Sequence, residues 1–218
     1  MGPVWGGDVD TAELRANLGR LAADIADHAQ SGAIPDVYTP RAWHERTFEN
    51  VPVPSDAYRG GYRGESHPHL VDYANAVGGV LGVLPNQVAG ELRRFFTWLR
   101  TEIRRLDGRI ERFERDFGQE VPEHHWLDFD ADLIKVAARA HGEWVRIHPF
   151  VNGNGRTARM WVLWLTSRYD LDPLLPLRPR PPIPYDDAGH ASMWAGDHGP
   201  MESYLLAEYA RQAASGAT

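Results

Sequence analysis

Residues Arg146–Arg159 read "RIHPFVNGNGRTAR", which places a His, two amides, two Gly and the pair Arg156 and Arg159 between apolar, helix-like segments. Upstream, Leu133, Ile134, Ala137, Ala140 and Trp144 recur at helical spacing, and Asp130 is expected to cap that helix. Pro149 should end it, because the residue before a proline resists helical dihedrals. A second helix is expected from about Asn154 through "RTARMWVLWLTSRY" to about Asp170. The polar turn therefore lies where one buried helix stops and the next begins.

A helix N-terminus presents unpaired N–H groups and the positive end of the peptide dipoles, so it favours anions. Gly153 and Gly155 can take positive φ angles that turn successive N–H groups inward as a nest, and Asn154 tolerates the same angles and adds an amide donor. Arg156 and Arg159 are three apart, share a helix face and can both grip a phosphate chain. His148 precedes the nest, where an imidazole can take a proton from a hydroxyl held beside a phosphoryl group. Phe150 is expected to face the core. A lone "GNG" is an ordinary turn; nest, paired Arg and His in one segment between two apolar helices favour an anion site.

Working outward, Leu14, Leu18, Leu21 and Ile25 mark a helix over Asp10–Gln30 that Gly32 stops. A second is expected from Thr39-Pro40, with Thr39 as its cap, carrying Trp43 and Phe48. "VPVPSDAYRGGYRGESHPH" (51–69) is an irregular loop or short hairpin by its Gly, Pro and turn residues. "NAVGGVLGVLPN" (75–86) fits a frayed strand pair about as well as a helix end. From Asn86, helical spacing returns through Val88, Leu92, Phe95, Leu99, Ile103 and Leu106, followed by the charged face of "RRLDGRIERFERDFG". "DPLLPLRPRPPIP" (172–184) is a stiff connector to a last helical pair near Tyr185–Ala195 and Glu202–Gln212. His67–His69 and His124–His125 match no zinc spacing and are expected to be surface or loop histidines.

Composition narrows the class. A 218-residue chain with 43% hydrophobic residues can bury a real core. Its formal charge of −7 argues against nucleic acid as the main partner. No Cys is present, so neither a disulfide framework nor a thiolate nucleophile exists. "MGPVWGGDVD" does not resemble a signal peptide, and the longest apolar run, "MWVLWL", is too short to span a bilayer. A soluble, cytoplasmic protein is expected.

"HPFVNGNGRTAR" resembles the signature of the Fic (filamentation induced by cAMP) domain, HPFx(D/E)GNGRxxR. "WHERTFENVPVPSDAYRGGYR" is similar to the segment before that family's flap, and "YDDAGHASMWAGDHGPMESYLLAEY" to its closing helices. The resemblance spans Trp43 to about Tyr209. It implies an all-α, Fic-type helical core with a small β-hairpin flap, placed over residues 39–214, with residues 1–38 as an accessory N-terminal helix.

The implied chemistry is protein adenylylation: AMP moves from ATP to a Ser, Thr or Tyr hydroxyl of a protein, with pyrophosphate released. By resemblance His148 is the general base. Gly153, Asn154 and Gly155 form the anion hole, Arg156 holds the β-phosphate region, Arg159 the γ-phosphate, and Tyr185 contacts the nucleotide. The flap, within 58–84, pairs with an extended target segment. The acidic, Mg²⁺-holding position of the signature is Asn152 here, a neutral oxygen for a cation that prefers charged ones. A need for high Mg²⁺, or a preference for Mn²⁺, is expected. Gly155, where the Doc toxin branch has Lys, sets the chain apart from that branch.

The family's inhibitory helix, (S/T)xxxE(G/N), is missing: no Ser or Thr is followed by Glu four residues later. Either an antitoxin-like inhibitor protein supplies the Glu or the protein is not restrained in that way. Two further readings compete with the adenylyltransferase. One is a nucleotide-binding pseudoenzyme or interaction module; the other is a Fic-like transferase using another nucleotide donor.

Overall fold

The computed structural model describes residues 2–6, 9–77 and 79–216. Among these the order is α1 (Ala12–Gln30), α2 (Thr39–Thr47), a 3₁₀ turn (Asp56–Tyr58), β1 (Ala76–Val77), β2 (Val80–Leu81), α3 (Pro85–Phe117), α4 (Glu123–Ile147), α5 (Asn154–Arg168), α6 (Tyr185–Ala195) and α7 (Gly199–Gly216). The fold is the expected all-α core with one small hairpin. β1 and β2 pair antiparallel, Ala76 opposite Leu81 and Val77 opposite Val80, with Gly79 at φ +81° in the turn. Gly78, within the proposed flap, lies outside the described residues. No helix among the described residues is long and apolar enough to cross a membrane.

α5 is the axis of the molecule. Every residue from Arg156 to Thr166 is buried, as expected of a helix apolar nearly all round. α4 and α1 pack against it, and α2 touches it as well. α3, amphipathic and about 50 Å long by its helical rise, lays Val88, Leu92, Phe95, Phe96, Leu99, Ile103 and Leu106 inward and packs on α4. α6 and α7 close the other side of α4.

Rings from four elements back the polar turn. Trp144 of α4 lies 5.6 Å from Trp161 of α5 and 5.5 Å from Phe95 of α3, and Trp161 meets Trp43 of α2 at 4.8 Å. Phe150 faces this core as expected, fully buried, 4.9 Å from Tyr62 and stacked on His44 at 4.0 Å.

Two expected caps are corrected. α4 begins at Glu123, seven residues before Asp130, because Pro122 can start a helix without donating a backbone hydrogen bond. Asp130 instead accepts from the Tyr209 hydroxyl at 2.7 Å, tying α4 to α7. Thr39 lies inside α2; the carboxylate of Asp36 accepts the N–H groups of Tyr38 and Thr39 at 2.9 and 3.1 Å.

Candidate active site

α4 ends at Ile147, and His148 follows in the left-handed conformation (φ 52°, ψ 55°), donating its N–H to Trp144 O. For a residue with a Cβ that conformation costs about 1 kcal/mol or more, so the surroundings must enforce it. They do so by binding carbonyls. From Ile147 to Gly153 every carbonyl has a donor. Arg63 takes Ile147 O and His148 O with its guanidinium and Pro149 O with its backbone N–H. Asn154 Nδ2 reaches Phe150 O, Asn75 Nδ2 reaches Val151 O and His44 Nε2 reaches Asn152 O. Thr157 closes Gly153 O with both its N–H and its hydroxyl.

The first turn of α5 presents N–H groups that the helix itself does not bond. The amides of Asn154, Gly155 and Arg156 have no intrahelical acceptor, and these residues line a cleft of about 720 Å³. His148, Asn152, Gly153, Arg159 and Tyr185 line the same cleft, so every residue singled out in the sequence is brought to one place.

Three details differ from expectation. Only Gly153 takes a positive φ (78°); a side chain there would also sit 3.0 Å from His44 and Phe48. Gly155 is helical, and among the described residues a Cβ on it would meet nothing closer than Arg159 Nη1 at 3.8 Å. The Asn154 side chain is turned onto the backbone of Phe150, accepting its N–H at 2.9 Å and donating to its carbonyl at 2.8 Å, which leaves one amide hydrogen for another acceptor.

The same turn sets the state of the His148 ring. His148 Nδ1 lies 3.2 Å from Val145 O, an acceptor only, so Nδ1 carries the proton and Nε2 keeps a lone pair. Burial, together with the nearby Arg63, lowers its pKa to about 4, so the imidazole is neutral at physiological pH.

Arg159 is 96% buried, and its guanidinium donates to the Tyr185 hydroxyl (3.2 Å) and Leu177 O (3.0 Å). Among the described residues it has no carboxylate partner, and its Nε has no acceptor at all. A buried cation left in that state calls for an anion. Tyr185 is buried and its hydroxyl is shared between Arg159 and His141 Nε2 at 2.8 Å, so its polar end holds Arg159. His141 lies on α4 seven residues before His148 and lines the same cleft; burial first, then Arg159, lowers its pKa to about 3.

Arg156 also lines the cleft, with Nη2 donating to Val9 O at 3.0 Å. This contact belongs to an N-terminal stretch whose Val4, Trp5 and Gly6 form one wall of the cleft. Trp5 is buried 4.7 Å from Phe48, and its carbonyl accepts from Asn152 Nδ2 at 3.4 Å. Asn152 Oδ1 accepts the N–H of Gly153 at 2.6 Å. That oxygen is neutral and has a second lone pair, and no three His, Asp or Glu side chains converge as metal ligands among the described residues. These residues do not build a Mg²⁺ site by themselves.

Sequence reasoning missed His44, Arg63, Asn75, His141 and Trp5. His141 carried a readable signal in its seven-residue spacing from His148. Arg63, Asn75 and Trp5 come from distant, irregular segments and His44 from α2, and no periodicity reveals their approach to the turn.

The comparisons with known proteins agree with this geometry. A model of the Fic/DOC family matches residues 36–166. A protein adenylyltransferase Fic of Drosophila virilis is 40% identical over 55 residues, which are 23% of this chain and 11% of that protein. The chain thus spans about a tenth of the curated relative's length. A Fic domain containing signalling protein of Bacteroides thetaiotaomicron superposes with a TM-score of 0.59 at 15% identity, over 94% of this chain and 70% of the other. The BepC protein of Bartonella tribocorum, a VirB-translocated effector with bound AMPPNP, does so at 0.53 and 15%, over 94% and 91%. With the family model covering more than half of its length, the chain belongs to the Fic/DOC family.

Proposed function

We propose that the protein is a Fic-type transferase that moves AMP from ATP to a Ser, Thr or Tyr hydroxyl of a protein. The observation that carries this reading is the pairing of a neutral His148, whose Nε2 keeps its lone pair, with a turn whose carbonyls are all bound and whose residues line the same cleft. A volume of about 720 Å³ is in the range of nucleotide-sized ligands.

In this scheme the α5 amides and Gly155 receive the phosphates, Arg156 binds the β-phosphate region, and Arg159 receives the γ-phosphate as the anion its burial requires. His148 Nε2 takes the proton of the incoming hydroxyl. The hydroxyl oxygen bonds to the α-phosphorus, the bond from that phosphorus to the β-bridging oxygen breaks, and pyrophosphate leaves with the electron pair. Val145 O supports the imidazolium that forms, through Nδ1–H. Mg²⁺ would arrive coordinated by the ATP phosphates. The target would lie along the hairpin, whose Leu81 is 62% exposed, as an added strand. An antitoxin-like inhibitor would present a carboxylate to Arg159.

Asn152 favours a second reading, a nucleotide-binding protein without transfer, because it offers a cation one neutral oxygen that also accepts from Gly153. One experiment separates the two. The protein is incubated with ATP labelled on the α-phosphate and with Mg²⁺ or Mn²⁺, and label is sought on the protein itself and on lysate proteins. Transfer supports the enzyme. Calorimetric ATP binding with no transfer at any metal concentration supports the second reading, and absence of both sinks each.

A further inference from the structure

Arg63 is an unusual side chain for a cation: it is 1% exposed, and its ordered partners are carbonyls alone. Nε donates to His148 O at 2.7 Å, and Nη2 to Ile147 O at 3.1 Å. On the other side Nη1 donates to Tyr73 O at 3.1 Å, and Nη2 also to Val83 O at 2.9 Å. Tyr73 and Val83 bracket the β1–β2 hairpin. One planar fork thus holds the last carbonyls of α4 with one edge and both stems of the hairpin with the other. Burying a guanidinium costs several kcal/mol, and charge-assisted bonds in a fixed fork are what offset it.

We infer that Arg63 is a positioning residue which locks the hairpin and the backbone of His148 into one unit, fixing where a hydroxyl docked on the hairpin meets the base. This inference rests on the transferase reading for its catalytic consequence and on the contacts alone for the mechanical one. Misplacing a reactant by about 1 Å can cost about a hundredfold in rate, so a clamp between the docking strand and the base matters for turnover more than for nucleotide affinity. The phosphate-binding amides lie on α5, beyond the clamp, and their turn is also held by Asn75 and His44.

Two variants test it. Arg63→Lys keeps the charge but cannot bridge both edges, since an ammonium lacks the planar fork. Gly82→Ala leaves Arg63 intact and inserts a Cβ that would stand 3.0 Å from His148 Cβ and 3.2 Å from Arg63 Nη2, a wedge between hairpin and base. Hydrogen exchange on the full chain is measured alongside the ¹⁵N resonances of the His148 ring, calorimetric ATP affinity and the transfer rate.

The expected result is joint loss of protection, tenfold or more, in 73–83 and 147–151, with the His148 ring leaving its single Nδ1–H tautomer. ATP affinity should change less than about threefold while transfer falls about 10- to 100-fold through kcat. Loosening of the hairpin alone, with the His148 ring unchanged, would reduce Arg63 to a loop anchor. Deprotection of every helix in both variants would make it a general fold residue, and either outcome overturns the inference. If the unaltered protein transfers nothing, the transferase reading fails by itself; the exchange and ring measurements still decide whether hairpin and His148 are coupled.

Discussion

The turn from Ile147 to Gly153 and the hairpin from Ala76 to Leu81 face each other across Arg63, yet they are built in opposite ways. In the turn each carbonyl is bound, Pro149 O by the N–H of Arg63 and the others by side chains that arrive from α2, α5 and two loops. The hairpin holds itself with two residue pairs, and Leu81 stands 62% exposed. A short two-stranded hairpin is marginal alone in water. The contrast suits the two tasks of the proposed function: phosphate chemistry would need donors that do not reorganise, whereas an added target strand would need an edge still open to pairing.

The sharpest way to break this comparison is His148→Ala. The turn's other donors remain, so ATP affinity should stay within a few fold while transfer drops about 10²- to 10⁴-fold, the usual worth of a positioned base. Calorimetry and α-phosphate labelling read the two quantities. Equal loss of both would mean that His148 holds the turn together and is not the base.

That prediction comes from the part of the molecule most legible in the sequence. His148, Gly153, Asn154, Gly155, Arg156 and Arg159 are local to one segment, where helix-end physics is readable from residue order. Helices such as α3 and α5 were equally plain, since apolar spacing or an unbroken apolar run marks their buried faces. What bound the turn was not legible. Arg63 and Asn75 lie in Gly- and Pro-rich chain without a period, and their role is long-range contact. The hairpin was ambiguous because two-residue strands cannot display alternation. Asp130 misled because a good capping residue can equally serve a partner helix.

Next in size is Arg159→Ala, which removes the buried cation that lacks a carboxylate. ATP should weaken by about 1.5–3 kcal/mol and AMP much less. Tyr185→Phe takes away only a hydroxyl that orients Arg159, so ATP should weaken by about 0.5–1.5 kcal/mol with the fold intact. Arg156→Ala also releases Val9 O, and its ATP penalty should be smaller than that of Arg159→Ala as the cleft wall loosens. Equal losses of ATP and AMP would reverse the proposed nucleotide direction.

The density of neutral histidines about the turn has its own signature. Burial is the first cause that lowers His44 and His148 to about 4 and His141 to about 3. Above pH ~6.5 both folded and unfolded chains hold these rings neutral, and they contribute nothing to pH dependence. As pH falls from about 6.5 towards 4, the unfolded chain binds protons that the fold excludes, so stability declines. Each ring removes up to about 1.4 kcal/mol per pH unit in that window. Denaturant melts from pH 8 to 4 should show a flat upper range and a steep acid limb, which His148→Ala makes shallower by one ring's share. A limb of unchanged slope would mean that His148 is solvated in solution. The transfer rate, for the same reason, should not fall through pH 6.5.

The smallest effect expected is at Asn152, where the turn meets the metal that ATP would carry. The side chain offers one neutral oxygen, and that oxygen accepts the Gly153 N–H. In Asn152→Asp one carboxylate oxygen can keep the Gly153 bond while the other is free and shares a full negative charge. The same change sets that charge against Trp5 O, which now accepts from Asn152 Nδ2, so the N-terminal wall should loosen slightly. For unit charges about 4 Å apart the added attraction is about 1 kcal/mol even in water, and more for a divalent ion at a half-buried site. The Mg²⁺ concentration giving half-maximal transfer should therefore fall about fivefold or more, with a smaller gain in Mn²⁺, which binds such sites more strongly from the start. A metal titration of both proteins reads this directly. Saturation of the unaltered protein at low Mg²⁺, with no gain from Asp, would place the cation away from residue 152; transfer that appears only in the Asp variant would establish the natural protein as a nucleotide binder whose chemistry stops at this one missing charge.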